Sequence, residues 1–502
     1  TTEIYTLSLH DALPISSVEP FDEAKYKALM DGLECSEITL PYVKDKLLRL
    51  DAEYYQKDNL ILERVLACME GKTVSDHNGK TDCSAFYPSI TGCYSFDRNN
   101  IPFLRVNEIV DGLVVISDKT VFLPEEVLKT NSKTIALAYP GDIIIAKGGN
   151  TLAKVGLVTD EYSVYATCRD VIILRTGEMT DLNKFYLWAF LHSSFGQKLM
   201  WRSASQTGQP HLTLKSIGGI HIPEYSANLQ ESVEQLYNQS VYIKQQAQRR
   251  YNEAIDVLEK YLRISEYEGS SISNKLYSAS FKVTGRLDAE YYQPKNEAYA
   301  KGLHTTDTVS SLCDIHDKNY LPKRDELYKY IELANVGNSG DITDVELIKG
   351  SELPSRARRQ VNAGQVLVSS VEGSLQSCAL ITDKFDGALC STGFYVLTSD
   401  SINSETLLVL FKSEVIQALL RQRCSGTILA AITKDELLSM PLPQIDNSIQ
   451  TEIAEKVQMS FSLRRQSTQL LEYAKRAVEM AIEQGENAAL AWLSGKIPNV
   501  EA

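Results

Sequence analysis

The sequence lacks the patterns that mark membrane, disulfide-bonded and many catalytic proteins. No apolar run approaches the roughly 18 residues needed to span a bilayer, and the nine cysteines show no CxxC spacing. An odd number of scattered cysteines is typical of reduced thiols, which predicts a cytoplasmic protein without a membrane segment. There is no P-loop, no GxGxxG after a strand, no HExxH, no GxSxG and no Asn-Pro-Pro-aromatic motif of an amino-methyltransferase.

Metal and polycation signals are also weak. His77, Cys83 and Cys93 lie near one another in the sequence, but their spacing fits no standard zinc site, so we predict no metal site. The net charge of −14 argues against a generally adhesive polycation and leaves only local basic patches for binding nucleic acid.

The N-terminal segment 1–16 reads TTEIYTLSLHDALPIS and has neither an initiator Met nor the charged region and long apolar core of a signal peptide. It resembles the in-frame translation of a short-read sequencing adapter. We therefore treat it as an assembly artefact and expect the native chain to begin near Ser17; the alternative is a disordered native tail.

The dominant positive feature is a phrase that occurs twice. RLDAEYYQ occupies Arg49 to Gln56 and recurs from Arg286 to Gln293, 237 residues later. The residues after each copy also correspond. Gly112 matches Gly340 at an offset of 228, and the strand-loop-strand PGDIIIAKGGNTLAKVGLVTD matches AGQVLVSSVEGSLQSCALITD at an offset of 223. The sequence therefore predicts one α/β (α+β) globule, built twice.

Each half closes with a long amphipathic helix. In the first helix one apolar stripe runs from Leu229 to Leu262 and includes Ile243; in the second it runs from Ile449 to Ala481 and includes Leu463, at an offset of 220. About 34 residues at 1.5 Å each give a rod of about 50 Å. Because a stripe this narrow needs a partner, we expect the two helices to pair with each other as an antiparallel coiled coil.

We considered whether the repeated phrase is an active site. Asp51 and Glu53, with Lys57, loosely resemble the carboxylates of a metal nuclease, but Pro294 replaces the lysine in the second copy. The preferred interpretation is a structural junction between helix and globule, in which Arg49 pairs with Asp51 and Arg286 with Asp288. The residues assigned to this junction are Arg49, Asp51, Glu53, Arg286, Asp288 and Glu290.

Several basic and amide side chains lie on the predicted loops of both globules. Lys and Arg hold phosphates, while Arg, Asn and Gln can read base edges bidentately. For each residue alone, an ordinary solvated surface is the competing interpretation. The candidates for DNA contact are Arg105, Asn107, Lys147, Asn150, Lys154, Arg202, Gln209, His211, Lys215, Arg356, Arg358, Arg359, Ser370, Arg421, Arg423 and Lys434.

The ordered, duplicated set of features resembles the specificity (S) subunit of Type I restriction–modification systems. The resemblance covers Ser17 to about Leu493 and rests on the two RLDAEYYQ phrases, the GDIIIAKGG and GQVLVSS strand-loops, the IHIP and MPLP segments and the closing helices. It implies a domain order: N-terminal helical segment 17–48, first target recognition domain 49–224, first spacer helix 225–265, linker 266–285, second recognition domain 286–444, second spacer helix 445–484 and tail 485–502.

The resemblance also implies a function. Each globule would read one half of a split double-stranded DNA target in a phage-defence system, and the helices would set the spacing. The chain would be non-catalytic and bind no cofactor. It would dock two methyltransferase subunits, which use S-adenosylmethionine, and a restriction or translocase subunit. The alternatives are a metal-dependent nuclease using Asp51 and Glu53, a protein-interaction scaffold without DNA, and a specificity subunit of another methylation-based phage-defence system.

Overall fold

The structure is a computed structural model that describes residues 22–33, 35–46, 48–117, 119–179, 181–204, 210–263, 269, 280–343, 345–426 and 430–496. The chain divides after Met69 into two compact units. Parts of the predicted linker and tail, the adapter-like segment and the candidate Gln209 lie outside the described residues.

The first unit is helical. Asp22 caps its first helix, because its carboxylate accepts hydrogen bonds from the backbone N–H groups of Ala24 and Lys25. Leu62 and Leu66, one turn apart, bury one face of the last helix. The elements are the helices Glu23–Met30, Leu40–Asp45 and Lys57–Ala67 and the 3-10 turn Ala52–Tyr55.

The first globule belongs to the second unit. Its helices are Glu125–Thr130, Lys184–His192, Ser194–Ser203 and Leu214–Gly218. Its strands are Gly71–Thr73, Lys80–Asp82, Ile101–Leu104, Ile109–Val110, Leu113–Val114, Phe122–Leu123, Leu137–Ala138, Ile143–Ala146, Val155–Leu157, Tyr165–Thr167, Val171–Arg175 and His221–Pro223.

The second globule has the helices Phe281–Thr284, Pro294–Gly302, Val309–Leu312, Ser404–Lys412, Glu414–Arg423 and Lys434–Leu438. Its strands are Asp314–Ile315, Leu327–Ile331, Leu347–Lys349, Ala357–Gln360, Val366–Ser369, Ala379–Leu380, Leu389–Ser391 and Phe394–Thr398.

The two globules share strand registers as well as element order. Ile144 pairs with Ile173 in an antiparallel ladder, and Leu367 pairs with Val396, each residue 223 positions later. A parallel pair lies beside this ladder in both, between 101–104 and 165–167 and between 327–331 and 389–391. Three of the helices recur exactly 220 residues apart. The α/β fold built twice is therefore confirmed.

The first long helix is Ala227–Leu262 and the second is Asn447–Gln484, followed by a short helix Glu486–Leu493. Ser240 Oγ donates to Ser467 O over 2.9 Å, and Ser460 Oγ donates to Ala247 O over 2.7 Å. From Ser240 to Ala247 the first helix advances by seven residues, while its partner residue on the second helix moves back by seven, from Ser467 to Ser460. The helices therefore pair antiparallel in one register, as predicted.

The centre of the helix pair differs from the predicted apolar stripe. Ile243 and Leu463 are half-buried, whereas Ser240, Ser460 and Ser467 are buried in the interface. The small serines let the helices approach closely, and their hydroxyl groups are satisfied by facing carbonyls. Because serine is polar, the apolar periodicity of the sequence does not predict these buried positions. Among the described residues, no helix is long and apolar enough to cross a bilayer.

Candidate DNA interface

In the first globule, the exit of strand 143–146 joins the segment before helix 214–218. Leu212 N donates to Lys147 O over 2.8 Å, and Gly148 forms a β-bridge with His211. A Cβ on Gly148 would lie 2.3 Å from His211 Nδ1, so this approach requires glycine. The joint brings Lys147 and exposed His211 together, and exposed Lys215 follows on the helix capped by Thr213.

The second globule has the same joint at the equivalent residues. Ile432 N donates to Ser370 O over 2.9 Å, and Val371 forms a β-bridge with Ala431. Lys434 begins the next helix and forms an ion pair with Asp317. The candidates Lys147 and Ser370 therefore occupy corresponding positions, with different chemistry, in the two globules.

Three further first-globule candidates differ in exposure. Asn150 is exposed in the 3-10 turn 149–151, and Lys154 is half-buried at the end of the same loop. Arg202 is only 7% exposed on helix 194–203. A loop tip such as Asn150 can approach a groove without any movement of the fold, whereas Arg202 contributes mainly to packing within the globule.

Arg105 and Asn107 line a shallow cavity of about 270 Å³ together with Tyr87, Tyr94 and Arg169. Arg105 donates to Glu108 Oε1 over 2.8 Å and to Lys119 O over 3.2 Å. Burial acts to lower the pKa of Arg105, but the Glu108 hydrogen bond and charge outweigh it and raise that pKa. Arg105 is thus held as a wall of the cavity.

The aromatic residues and Arg169 of this cavity are not among the DNA contacts predicted from the sequence. Tyr87, Tyr94 and Arg169 come from three separate segments, and exposed Arg169 lies two residues before the start of the strand 171–175. The available signal was the pattern of aromatic residues in AFYPSITGCYSF, which is typical of stacking surfaces.

The second globule presents its arginines on strand 357–360 and on helix 414–423. Arg356 and Arg421 are exposed, and Arg358 donates to Ser355 O over 2.9 Å. Arg423 donates to Leu419 O and to Gln422 Oε1, and burial lowers its pKa.

Arg359 differs from the other arginines. A register shift between Ala357 and Arg359 marks a bulge in the strand, and bulges re-aim side chains. The guanidinium lies 5.6 Å from the ring centre of Tyr395. Its Nε and Nη1 are buried without a hydrogen-bond partner among the described residues. Burying two donors without acceptors costs free energy, so Arg359 would gain from donating to a new partner.

The repeated phrase makes the same local contacts in both copies. Arg49 donates to Asp51 through Nε and Nη2 at 2.9 and 2.5 Å, and Arg286 donates to Asp288 at 2.9 and 2.6 Å. The arginine hydrogen bond is the main reason why the pKa values of Asp51 and Asp288 are lowered. Because the bidentate pair occupies the Asp51 carboxylate, this aspartate is poorly suited to hold a catalytic metal.

The tyrosines complete this local structure. Tyr55 Oη donates to Arg49 O and Tyr292 Oη donates to Arg286 O, both over 2.8 Å. Tyr54 and Tyr291 lie under the guanidinium groups of Arg49 and Arg286 at 4.3 and 4.6 Å. In the second copy Arg286 also donates to Arg423 O and Cys424 O, which ties the phrase to the end of helix 414–423.

The remaining residues of the phrase face outward. Leu50 is 82% exposed and Leu287 is 74% exposed. Glu53 and Glu290 are exposed too. The two copies therefore present the same leucine and glutamate to their surroundings.

One group among the described residues has the geometry to hold a metal ion: His77, Asp181 and Glu224. Lys72 Nζ already lies 3.0 Å from Asp181 and 3.4 Å from Glu224, so an ammonium group supplies the positive charge there. Hydrogen bonds from His77 and Lys72 lower the pKa of Asp181 to about 2. The group acts as an ion-pair network that joins strand 71–73 to the segment before helix 184–192 and to the end of strand 221–223.

No family model matches the chain, and no curated protein matches it. Solved structures do match. One is the S subunit of a Type I restriction–modification system from M. genitalium, with 10% identity, a TM-score of 0.30, and coverage of 86% of this chain and 96% of that chain.

Two other solved structures are similar. The HsdS subunit from Thermoanaerobacter tengcongensis has 14% identity and a TM-score of 0.25, and the match covers 83% of this chain and 94% of that chain. The type IIG restriction endonuclease BpuSI has 12% identity and a TM-score of 0.28, over 38% of this chain and 29% of that chain. The chain is thus similar, over most of its length, to solved S subunits of Type I restriction–modification systems.

Proposed function

We propose that this chain is the DNA-specificity subunit of a Type I restriction–modification system, in which each globule reads one half of a bipartite target. One observation carries the proposal: two globules with the same strand registers are attached at equivalent positions to one antiparallel helix pair. Two similar readers related by a two-fold axis match a DNA site made of two separated halves.

The recognition surface in this proposal includes the loop joints of the two globules. Lys147, His211 and Lys215 lie at the first joint, and Ser370 and Lys434 lie at the second. Because the corresponding positions carry different side chains, the two globules read different half-sites. A rod of about 50 Å spans on the order of one to one and a half turns of DNA, which bounds the separation of the half-sites.

The chain acts in the cytoplasm as a non-catalytic subunit and binds no cofactor in this proposal. Catalysis belongs to two methyltransferase subunits that use S-adenosylmethionine and to a restriction or translocase subunit. The outward-facing Leu50 and Glu53 recur as Leu287 and Glu290, which supports a partner present in two identical copies. Such a partner needs the same contact surface twice.

Methylome sequencing of cells that express the chain with its methyltransferase tests the proposal. We expect a split, adenine-methylated motif. Exchange of residues 57–223 for those of another specificity subunit should change one half-site only, and the matched exchange of residues 294–443 should change the other.

Two results would contradict the proposal: no sequence-specific methylation with an active methyltransferase, or an exchange that changes both half-sites. DNA cleavage by the purified chain with magnesium, lost on Glu53→Ala, would instead favour the nuclease alternative.

A further inference from the structure

The two globules touch each other directly at the middle of the helix pair. In one direction, Lys119 Nζ of the first globule donates a hydrogen bond to Leu333 O of the second. In the opposite direction, Asn338 Nδ2 of the second globule donates to Ile116 O of the first over 3.3 Å. We call these four residues, with Arg464, the central seam. Each globule thus supplies one side chain to a main-chain carbonyl of the other.

Arg464 of the second long helix connects the seam to both helices. Its Nη2 donates to Gln248 Oε1 of the first long helix over 2.7 Å and to Ser339 Oγ of the second globule. Its Nε lies 3.8 Å from Asp341 Oδ1. Ser339 is fully buried, so these contacts are shielded from water. One guanidinium therefore holds two helices and one globule together.

The seam lies on the pseudo-two-fold axis. The contacts Ser240–Ser467 and Ala247–Ser460 are equidistant from a point between residues 243 and 244 on the first helix and between 463 and 464 on the second. Lys244 is the counterpart of Arg464 at the offset of 220. At the axis, any relative motion of the two globules along the rod must shear the seam.

We infer that the central seam, and not the length of the long helices alone, fixes the separation of the two globules and hence the one half-site spacing that the chain accepts. This inference rests on the proposed function. A long helix pair held in one register can still bend, whereas reciprocal hydrogen bonds between the globules hold them at one distance.

The test compares the native chain with Lys119→Ala/Asn338→Ala and with the same pair combined with Arg464→Gln, each assembled with the methyltransferase. The substrates carry the native half-sites with spacers from two base pairs shorter to two longer. The complex assembled with the native chain should methylate DNA of one spacer length only. The variants should raise the ratio of off-length to native-length methylation by about fivefold for each hydrogen bond removed.

Arg465→Gln with Lys318→Ala is the matched control, because these residues are exposed and lie outside the seam. The control should keep the native spacer preference. Circular dichroism checks the fold of every variant. If the triple variant fails to fold, the Lys119→Ala/Asn338→Ala pair decides.

A second measurement is independent of DNA. Spin labels on unnatural amino acids at exposed Phe96 and Lys318 report the distance between the globules. The native chain should give one narrow distribution and the seam variants a broader one. Unchanged distance and unchanged spacer preference in the folded variants would overturn the inference. Absence of any bipartite methylation would overturn the proposed function, while the distance measurement would still test the seam.

Discussion

Arg359 offers a test in which stability and DNA binding should change in opposite directions. Its Nε and Nη1 are buried without a partner among the described residues, beside the ring of Tyr395. A buried donor without an acceptor costs about 1–3 kcal/mol. Methionine has a similar length and no donor. Arg359→Met should therefore raise the free energy of unfolding by about 1–2 kcal/mol, measured by urea denaturation.

The same substitution should weaken recognition of one half-site. A phosphate or a base edge that draws the guanidinium outward would satisfy its free donors. Loss of that contact corresponds to about 1–3 kcal/mol, which is a fall of about 5- to 150-fold in affinity. Fluorescence anisotropy of the assembled complex on DNA with either half-site altered would show which globule is affected. If the lost contact is to a phosphate, the slope of log affinity against log salt concentration should become shallower by about one.

Arg358→Met is the matched control, since Arg358 already donates to Ser355 O. It should change affinity less and should not stabilise the fold. A destabilised Arg359→Met variant with unchanged DNA affinity would refute the reasoning, because Arg359 would then be a packing residue of the sheet.

Three further outcomes follow from other parts of the structure. Ser240→Ala should lower the free energy of unfolding by about 1 kcal/mol, measured by urea denaturation. Its effect should not add to that of Ser467→Ala, whose hydroxyl lies 2.8 Å from that of Ser240, but should add to that of Ser460→Ala. Full additivity of Ser240→Ala and Ser467→Ala would contradict the geometry. Because the pKa of Asp181 is lowered to about 2, its pairing should stabilise the fold above about pH 4, and this stabilisation should be lost as the pH falls toward 2. The free energies of unfolding of the native chain and of Asp181→Asn should therefore converge between pH 5 and pH 2. A difference that stays constant over this range would contradict the prediction. With a net charge of −14, the chain alone should show a shallower salt dependence of DNA binding than its complex with methyltransferase, and equal slopes would contradict the proposal that the partners supply phosphate contacts.

The repeated architecture could be predicted from the sequence because it depends on local patterns. Strand segments such as 143–146 and 366–369 are mainly apolar runs followed within a few residues by glycine, and the long helices carry a regular apolar stripe. Both signals survive when most identities between the two halves are lost. The offset of 220 across the closing helices therefore matches the structure without correction.

The interface residues could not be ranked from the sequence, because their role depends on distant neighbours. The sequence does not distinguish Arg105 from Arg356. In the structure Arg105 forms an ion pair with Glu108, whereas Arg356 is exposed. The central seam leaves even less trace. Lys119 and Asn338 donate to main-chain carbonyls, which every residue has, so no side-chain pattern records the contact.

The RLDAEYYQ phrase contains residues that stabilise its own turn, which meet an inner requirement, and residues that are exposed to the surroundings. The inner requirement is met by the Arg–Asp pair and the two tyrosines, which fix the turn before each following helix. That requirement alone would leave Leu50 and Leu287 free to diverge, because both are exposed. Under the proposed function, a contact made twice with the methyltransferase subunits would account for the exposed leucine in both copies.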